Sequence, residues 1–180
     1  MRWGSGSAVD ICVKKMQVSC STAYGPQEKD SREKKEKSWK YLDEEAKRSN
    51  SEGEGFILQG DLNAWLGHNI ILNDQRKQNE NERMMEEFLK SNQLTVVNGS
   101  TLCKGLFTRV RNCKGILEKS ILDFFVVCNK ILAFVTNMVI DEEKLNIPYN
   151  YTQVRKGGKV ADSDHMVIEI NQSFPHARQE

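Results

Sequence analysis

The sequence has 180 residues, with 26 Lys plus Arg against 25 Asp plus Glu, a net charge of +1 and 38% apolar residues. That length suits a single domain over 1–180, and the balanced charge excludes a chain-wide polyanion surface, so any nucleic-acid contact must come from a local patch. Residues 1–16 have no apolar signal core, and the longest apolar stretch, 121–128, is far short of the roughly 20 residues a membrane span needs.

The cysteines, Cys12, Cys20, Cys103, Cys113 and Cys128, are odd in number and contain neither a Cys-x-x-Cys pair nor His at zinc-finger spacing. A disulfide framework and a structural zinc are therefore not expected. An intracellular, reducing compartment, nuclear or cytoplasmic, is expected instead of secretion, and the glycosylation-like matches at Asn98, Asn150 and Asn171 read as chance.

In chain order, 9–13 and 16–24 read as strands, the second alternating Val18, Cys20 and Thr22 against Gln17, Ser19 and Ser21 until Gly25-Pro26 ends it. Tyr24 stands at that end, either as a half-buried core residue with its hydroxyl at the rim or as a ligand contact. Residues 28–48 place Trp39, Leu42 and Ala46 at helical spacing among Lys and Glu, which predicts a surface helix with a narrow apolar stripe and a solvated charged face.

Phe56, Ile57 and Leu58 then form the short apolar run of a buried strand, which stops at Gly60. If the chain stays extended, the period of two puts Asp61 and Asn63 on one side and turns Leu62 into the core. Taken alone, Gly60 to Asn63 reads sooner as a turn, because Asp and Asn are common turn formers. Residues 69–79 read as irregular, 82–91 as a helix through Met85, Phe88 and Leu89, and 94–97 as a strand closed by Asn98-Gly99.

Between 104 and 119, Lys104, Arg109, Arg111, Lys114 and Lys119 are opposed only by Glu118. This local patch is either a solvated loop or a seat for a phosphate backbone, with Arg109, Arg111, Lys114 and Lys119 as its candidate nucleic-acid contacts. Residues 120–128 are apolar on both faces and predict an interior strand. It contains Asp123, whose carboxylate needs either the strand's wet end or a hydrogen-bonded cationic partner. Residues 131–140 read as a further strand, 141–144 as an acidic turn and 149–160 as a polar basic segment broken at Gly157-Gly158. Asp162-Ser163-Asp164-His165 opens a strand over 166–170, and 172–180 is a polar tail.

Tyr24, Asp61, Asn63, Asp123, Asp164 and His165 thus stand at strand ends, and no Ser or Cys nucleophile sits beside a base in a recognisable motif. Carboxylates with an imidazole and no thiolate cage favour Mg²⁺ or Mn²⁺ and the activation of water against a phosphate ester.

The motifs Thr22-Ala23-Tyr24-Gly25-Pro26-Gln27-Glu28, Gly60-Asp61-Leu62-Asn63-Ala64, Phe107-Thr108-Arg109, Ser120-Ile121-Leu122-Asp123-Phe124 and Ser163-Asp164-His165 follow one another over nearly the whole chain. In order and approximate spacing they resemble the endonuclease/exonuclease/phosphatase family, the DNase I-like fold, and within it the endonucleases of LINE-type retrotransposons. The resemblance implies an α/β four-layer sandwich, two packed mixed β-sheets flanked by helices, and in-line attack of water on a metal-bound phosphodiester. Asp61 would orient and deprotonate the water, and Asn63 would hold it or a phosphate oxygen. His165 would donate to the phosphate, Asp123 would orient and charge His165, Asp164 would belong to the Mg²⁺ or Mn²⁺ site, and Tyr24 would contact the phosphate or leaving group. DNA is the implied partner, with room for a reverse transcriptase domain in a parent polyprotein.

The sequence departs from that pattern at its start. Residues 1–20 hold no counterpart of the family's N-terminal Asn and metal-binding Glu, so the expectation is a domain lacking its N-terminal strands, with Val9, Ile11 and Val13 short of cover. Arg109 replaces the usual aromatic residue after the Thr, and Leu122 the usual isoleucine before the buried Asp. Two alternatives stay open: an inactive, truncated retroelement remnant, and a phosphatase or phosphodiesterase of the same fold acting on a lipid or inositol phosphate ester.

Overall fold

The computed structural model describes residues 7–13, 16–64, 66, 79–142, 152–154, 160–162, 165–166 and 168–172, with backbone alone over 7–13, 152–154 and 160–162. Its first sheet has the order β1-β2-β3-β8-β4, formed by β1 Ser7–Val13, β2 Met16–Thr22, β3 Gly55–Asp61, β8 Asp123–Cys128 and β4 Leu94–Val96. β3 lies at its centre, parallel to β2 and antiparallel to β8. The second sheet orders β12 Ile168–Gln172, β9 Val135–Ile140 and β5 Cys103–Lys104, again mixing antiparallel and parallel pairs.

The period of two divides β3 and β8 between two cores. Phe56, Leu58, Phe124 and Val126 face Trp39, Leu42 and Ala46 of helix α1, Arg32–Ser51, and Met85 and Phe88 of helix α2, Glu80–Ser91. Ile57, Phe125 and Val127 face the other way and pack with Val18 against Val135, Met138 and Ile140 of the second sheet. Two packed mixed sheets with flanking helices are therefore present, as expected. The helices begin on side-chain caps, Ser31 accepting from the Lys34 amide and Asn79 from the Glu82 amide.

Three expectations need correction. Residues 131–140 are not one strand, because Asn129–Leu132 forms a short helix, α3, that buries Ile131 before β9 begins. The basic patch is not an irregular loop: β6, Arg109–Cys113, and β7, Ile116–Ser120, pair as an antiparallel hairpin. Its turn uses left-handed Lys114, φ 54°, and Gly115, φ 85°, with the Gly115 amide donating to Asn112 Oδ1. Nor is the charged face of α1 wholly solvated. Lys35 has a side chain only 7% exposed, and its ammonium meets Glu80 at 3.1 Å, pinning α1 to the start of α2.

The last described elements, β10 Thr152–Val154 and β11 Val160–Asp162, make a two-stranded hairpin. The side chains of Val9, Ile11 and Val13, and residues 69–78, 157–158 and 173–180, lie outside the described residues. The four cysteines with described side chains, Cys20, Cys103, Cys113 and Cys128, are free thiols. Among the described residues no helix is long and apolar enough to cross a membrane.

Candidate active site

The site follows from register. Asp61 ends β3 directly opposite Asp123 at the start of β8, and the Leu62 amide donates to the Leu122 carbonyl one step beyond. Directly opposed residues share a face, here the face of Ile57, Phe125 and Val127 that looks toward the second sheet. Two carboxylates therefore stand together where the inter-sheet core reaches the sheet edge. His165, just ahead of β12, meets them there, with its Nδ1 2.8 Å from Asp123 Oδ2. An ionised carboxylate can only accept, so Nδ1 carries the proton and Nε2 is the ring's remaining polar atom.

Backbone anchors hold this pair. Thr108 is fully buried, and its hydroxyl oxygen accepts from the amides of Leu122 and Asp123 at 2.9 and 3.0 Å. Its carbonyl accepts from the Met166 amide at 2.7 Å, while Arg109 bridges to His165 in antiparallel fashion. One residue thus fixes the backbone on both sides of the Asp123–His165 contact. Glu142 Oε1 accepts from the Leu106 and Phe107 amides and secures the approach to Thr108. Asn98 acts like an extra strand residue on β8, donating to the Asp123 carbonyl and accepting from the Phe125 amide.

The strand stays extended through Asp61, with Leu62 buried beyond it, and the turn reading holds from there to Asn63. Gly60 has φ 133° and Asn63 φ 47°, and the Asn63 amide donates to Asp61 Oδ1 at 3.0 Å, an Asx-turn that keeps the two side chains adjacent without strand alternation. The segment after β2 presses onto this turn. The Gly25 amide donates to the Asp61 carbonyl, and Asn63 Nδ2 donates to the Gly25 carbonyl at 3.0 Å. A Cβ at Gly25 would collide with the Leu62 carbonyl, and one at Gly60 with the Ala23 carbonyl, so the close approach requires glycine at both positions.

Burial holds the Asp61 carboxyl above its ordinary range; the Asn63 amide pulls it down and the Asp123 charge adds to the rise. His165 and Arg109 oppose the rise through their positive charge. The native state therefore binds this proton more tightly than the unfolded chain, and Asp61's contribution to stability falls as pH rises from the ordinary carboxylate range through its raised value. Asp61→Asn is expected to unfold at a higher temperature than the parent chain at neutral pH. That advantage should vanish below the ordinary carboxylate range. Thermal denaturation across pH tests it, and a pH-independent difference would contradict the linkage.

Tyr24 is not a half-buried core residue. It is 49% exposed beside the Asp61 turn, with its hydroxyl accepting from Gln27 Nε2. Arg109 adjoins the carboxylates, whereas Arg111, Lys114 and Lys119 lie along the exposed β6–β7 hairpin, Lys119 with its ammonium 5.2 Å from the Phe107 ring centre. The site thus gathers Asp61, Asn63, Asp123, His165 and Arg109, with Tyr24 at its rim. Asp164 lies outside the described residues. Among the described residues no three His, Cys, Asp or Glu side chains stand close enough together to hold a metal ion, so the described donors alone do not make a cation site.

No protein-family model and no curated protein matches the sequence. Solved structures do match. The endonuclease domain of TRAS1, a telomere-specific non-LTR retrotransposon, aligns at TM-score 0.61 and 16% identity over 95% of this chain and 64% of that one. The 3' phosphatase NExo from Neisseria, bound to product DNA hairpin, aligns at 0.65 and 14% over 93% and 65%. D. rerio TDP2 complexed with single strand DNA product aligns at 0.54 and 11% over 94% and 61%. The chain has the DNase I-like fold. The matching structures are endonuclease/exonuclease/phosphatase family members, and this chain spans about two thirds of their length or somewhat less. In this DNase I-like chain the edge between the two sheets carries the Asp61, Asp123 and His165 cluster.

Proposed function

We propose that the chain hydrolyses DNA phosphodiester bonds with Mg²⁺ or Mn²⁺, nicking its substrate as a retrotransposon-type endonuclease would. The observation that carries this reading is the Asp123–His165 contact at the sheet edge, directly opposite Asp61. The fold's neighbours are nucleases and phosphatases, and two of them hold DNA, which supports phosphodiester chemistry as the class.

Asp61, with its proton affinity raised by burial, accepts the proton of the attacking water. Asn63 spends one amide hydrogen on the Gly25 carbonyl and keeps the other for the water or a phosphate oxygen. Imidazolium His165, oriented by Asp123, donates to the phosphate, and Tyr24 contacts the phosphate or leaving group from the rim. Asp164 is the carboxylate assigned to the cation, which when bound neutralises phosphate charge and acidifies water. A plasmid-nicking assay over a range of Mg²⁺ and Mn²⁺ concentrations tests the reading. Nicking that EDTA abolishes supports it, while DNA binding without nicking at any metal concentration would assign the chain to inactive remnants. Hydrolysis of an inositol phosphate ester but not of DNA would move it to the phosphatases.

The hairpin supplies the DNA contact in this reading. Arg109, Arg111, Lys114 and Lys119 line it, and Ile116 and Leu117 stand exposed near its turn. Arg111→Ala with Lys114→Ala is expected to reduce the slope of log affinity against log salt by about 2 and to weaken binding uniformly across sequences. Fluorescence anisotropy over a salt series measures this. An unchanged slope would remove the hairpin from the DNA interface.

A further inference from the structure

Asn81, on the first turn of α2, has no part in the chemistry proposed above, and it is 1% exposed with every polar atom engaged. Its Oδ1 accepts from the Trp39 indole of α1 at 2.6 Å. Its Nδ2 faces three main-chain carbonyls, Pro26 at 3.1 Å, Leu62 at 3.0 Å and Asn63 at 2.9 Å. Pro26 belongs to the segment carrying Tyr24; Leu62 and Asn63 belong to the turn carrying Asp61. These two segments also meet through the Gly25 amide on the Asp61 carbonyl and the Asn63 amide group on the Gly25 carbonyl. Asn63 is left-handed, a conformation that Asn adopts more readily than other non-glycine residues but still at a cost relative to the right-handed region. The buried carboxamide, carried by α2, thus bonds the backbone of both segments at once.

We propose that Asn81 is a positioning residue that sets the spacing between the Tyr24 segment and the Asp61–Asn63 turn, so that water, phosphate and the Tyr24 hydroxyl meet in reacting geometry. This rests on the hydrolytic reading given above. The amide donors do this work. An acceptor alone would retain Trp39 and repel three carbonyl oxygens.

Asn81→Asp separates the two functions, because it keeps an acceptor for the indole and replaces the two N–H donors by at most one O–H, present only when the carboxyl is protonated. Displacements of an ångström or so from reacting geometry lower rates by up to about 10²-fold. Asn81→Asp is therefore expected to lower kcat for nicking by roughly ten- to a hundredfold with KM within about twofold. Backbone amides of Gly25 and Asn63 should exchange with solvent faster, while Leu58 in the strand core stays protected. Leu42→Ala is the control, since it removes only apolar packing and should lower the unfolding temperature without changing kcat per folded molecule. If Asn81→Asp does not fold, Asn81→Ser, which retains one donor, should show the same pattern at smaller amplitude. An unchanged kcat, or a loss matched by Leu42→Ala, overturns the proposal while leaving the hydrolytic reading intact. Exchange that accelerates equally at Gly25, Asn63 and Leu58 also overturns it. If the parent chain never cleaves DNA yet selective exchange at Gly25 and Asn63 appears, the brace stands and the hydrolytic reading fails.

Discussion

His165→Ala and Asp61→Ala are each expected to lower the nicking rate by about 10²- to 10⁴-fold, the span associated with losing a positioned general acid or base. The physical basis is the sheet edge, where the His165 ring meets the Asp123 carboxylate at 2.8 Å and where burial raises Asp61's affinity for a proton. DNA affinity should change far less, because the proposed sequence-independent contact is the basic hairpin and not these residues. The double substitution should be little slower than the more damaging single one, since a base and an acid serving one transition state act as a unit. Single-turnover nicking with separately measured affinities gives both numbers. A rate within tenfold of the parent after His165→Ala would remove imidazole from the chemistry. A rate loss explained wholly by weaker binding would remove Asp61 from it.

The largest expected effect on stability comes from Phe124→Ala, at about 3–5 kcal/mol. Phe124 is 1% exposed and lies opposite Gly60 in the central strand pair, packed in the core that the sheet shares with α1 and α2. Removing the ring forfeits its transfer from water and leaves a cavity that two helices and a strand cannot close without moving together. For a chain of this length the corresponding shift in unfolding temperature is on the order of 10 °C. Asp123 precedes this residue, so at temperatures where the variant is partly unfolded, nicking should fall with the folded fraction. Urea denaturation checks the value; a loss below about 1 kcal/mol would show that β8 is not the interior strand its burial indicates.

Periodicity made much of the architecture legible. Phe56, Ile57 and Leu58, and the run from Phe124 to Val127, announce strands buried on both faces, while Trp39, Leu42 and Ala46, and Met85 with Phe88, announce helices with one apolar stripe. Those signals are local and repeat along the chain, so they survive without tertiary information. Electrostatics added one more inference: a carboxylate in an apolar strand demands a partner or a wet end, and Asp123 has both His165 and the strand's terminal position.

Tertiary structure alone decided the rest. Register between β3 and β8 places Asp61 opposite Asp123, and no property of either segment by itself specifies that pairing. The hairpin from Arg109 to Ser120 reads as a basic loop because its two short strands are largely exposed and lack a strong alternating pattern. Thr108, Asn98, Glu142 and Asn81 each satisfy main-chain groups of distant segments. Such a role leaves no periodic trace, since any short polar residue in a loop or a helix's first turn reads alike until the chain closes around it. What the sequence by itself determined was the set of buried faces and the chemical types at their ends. Which of those ends meet, and which buried amides hold them together, depended on packing the two sheets and their helices around two cores.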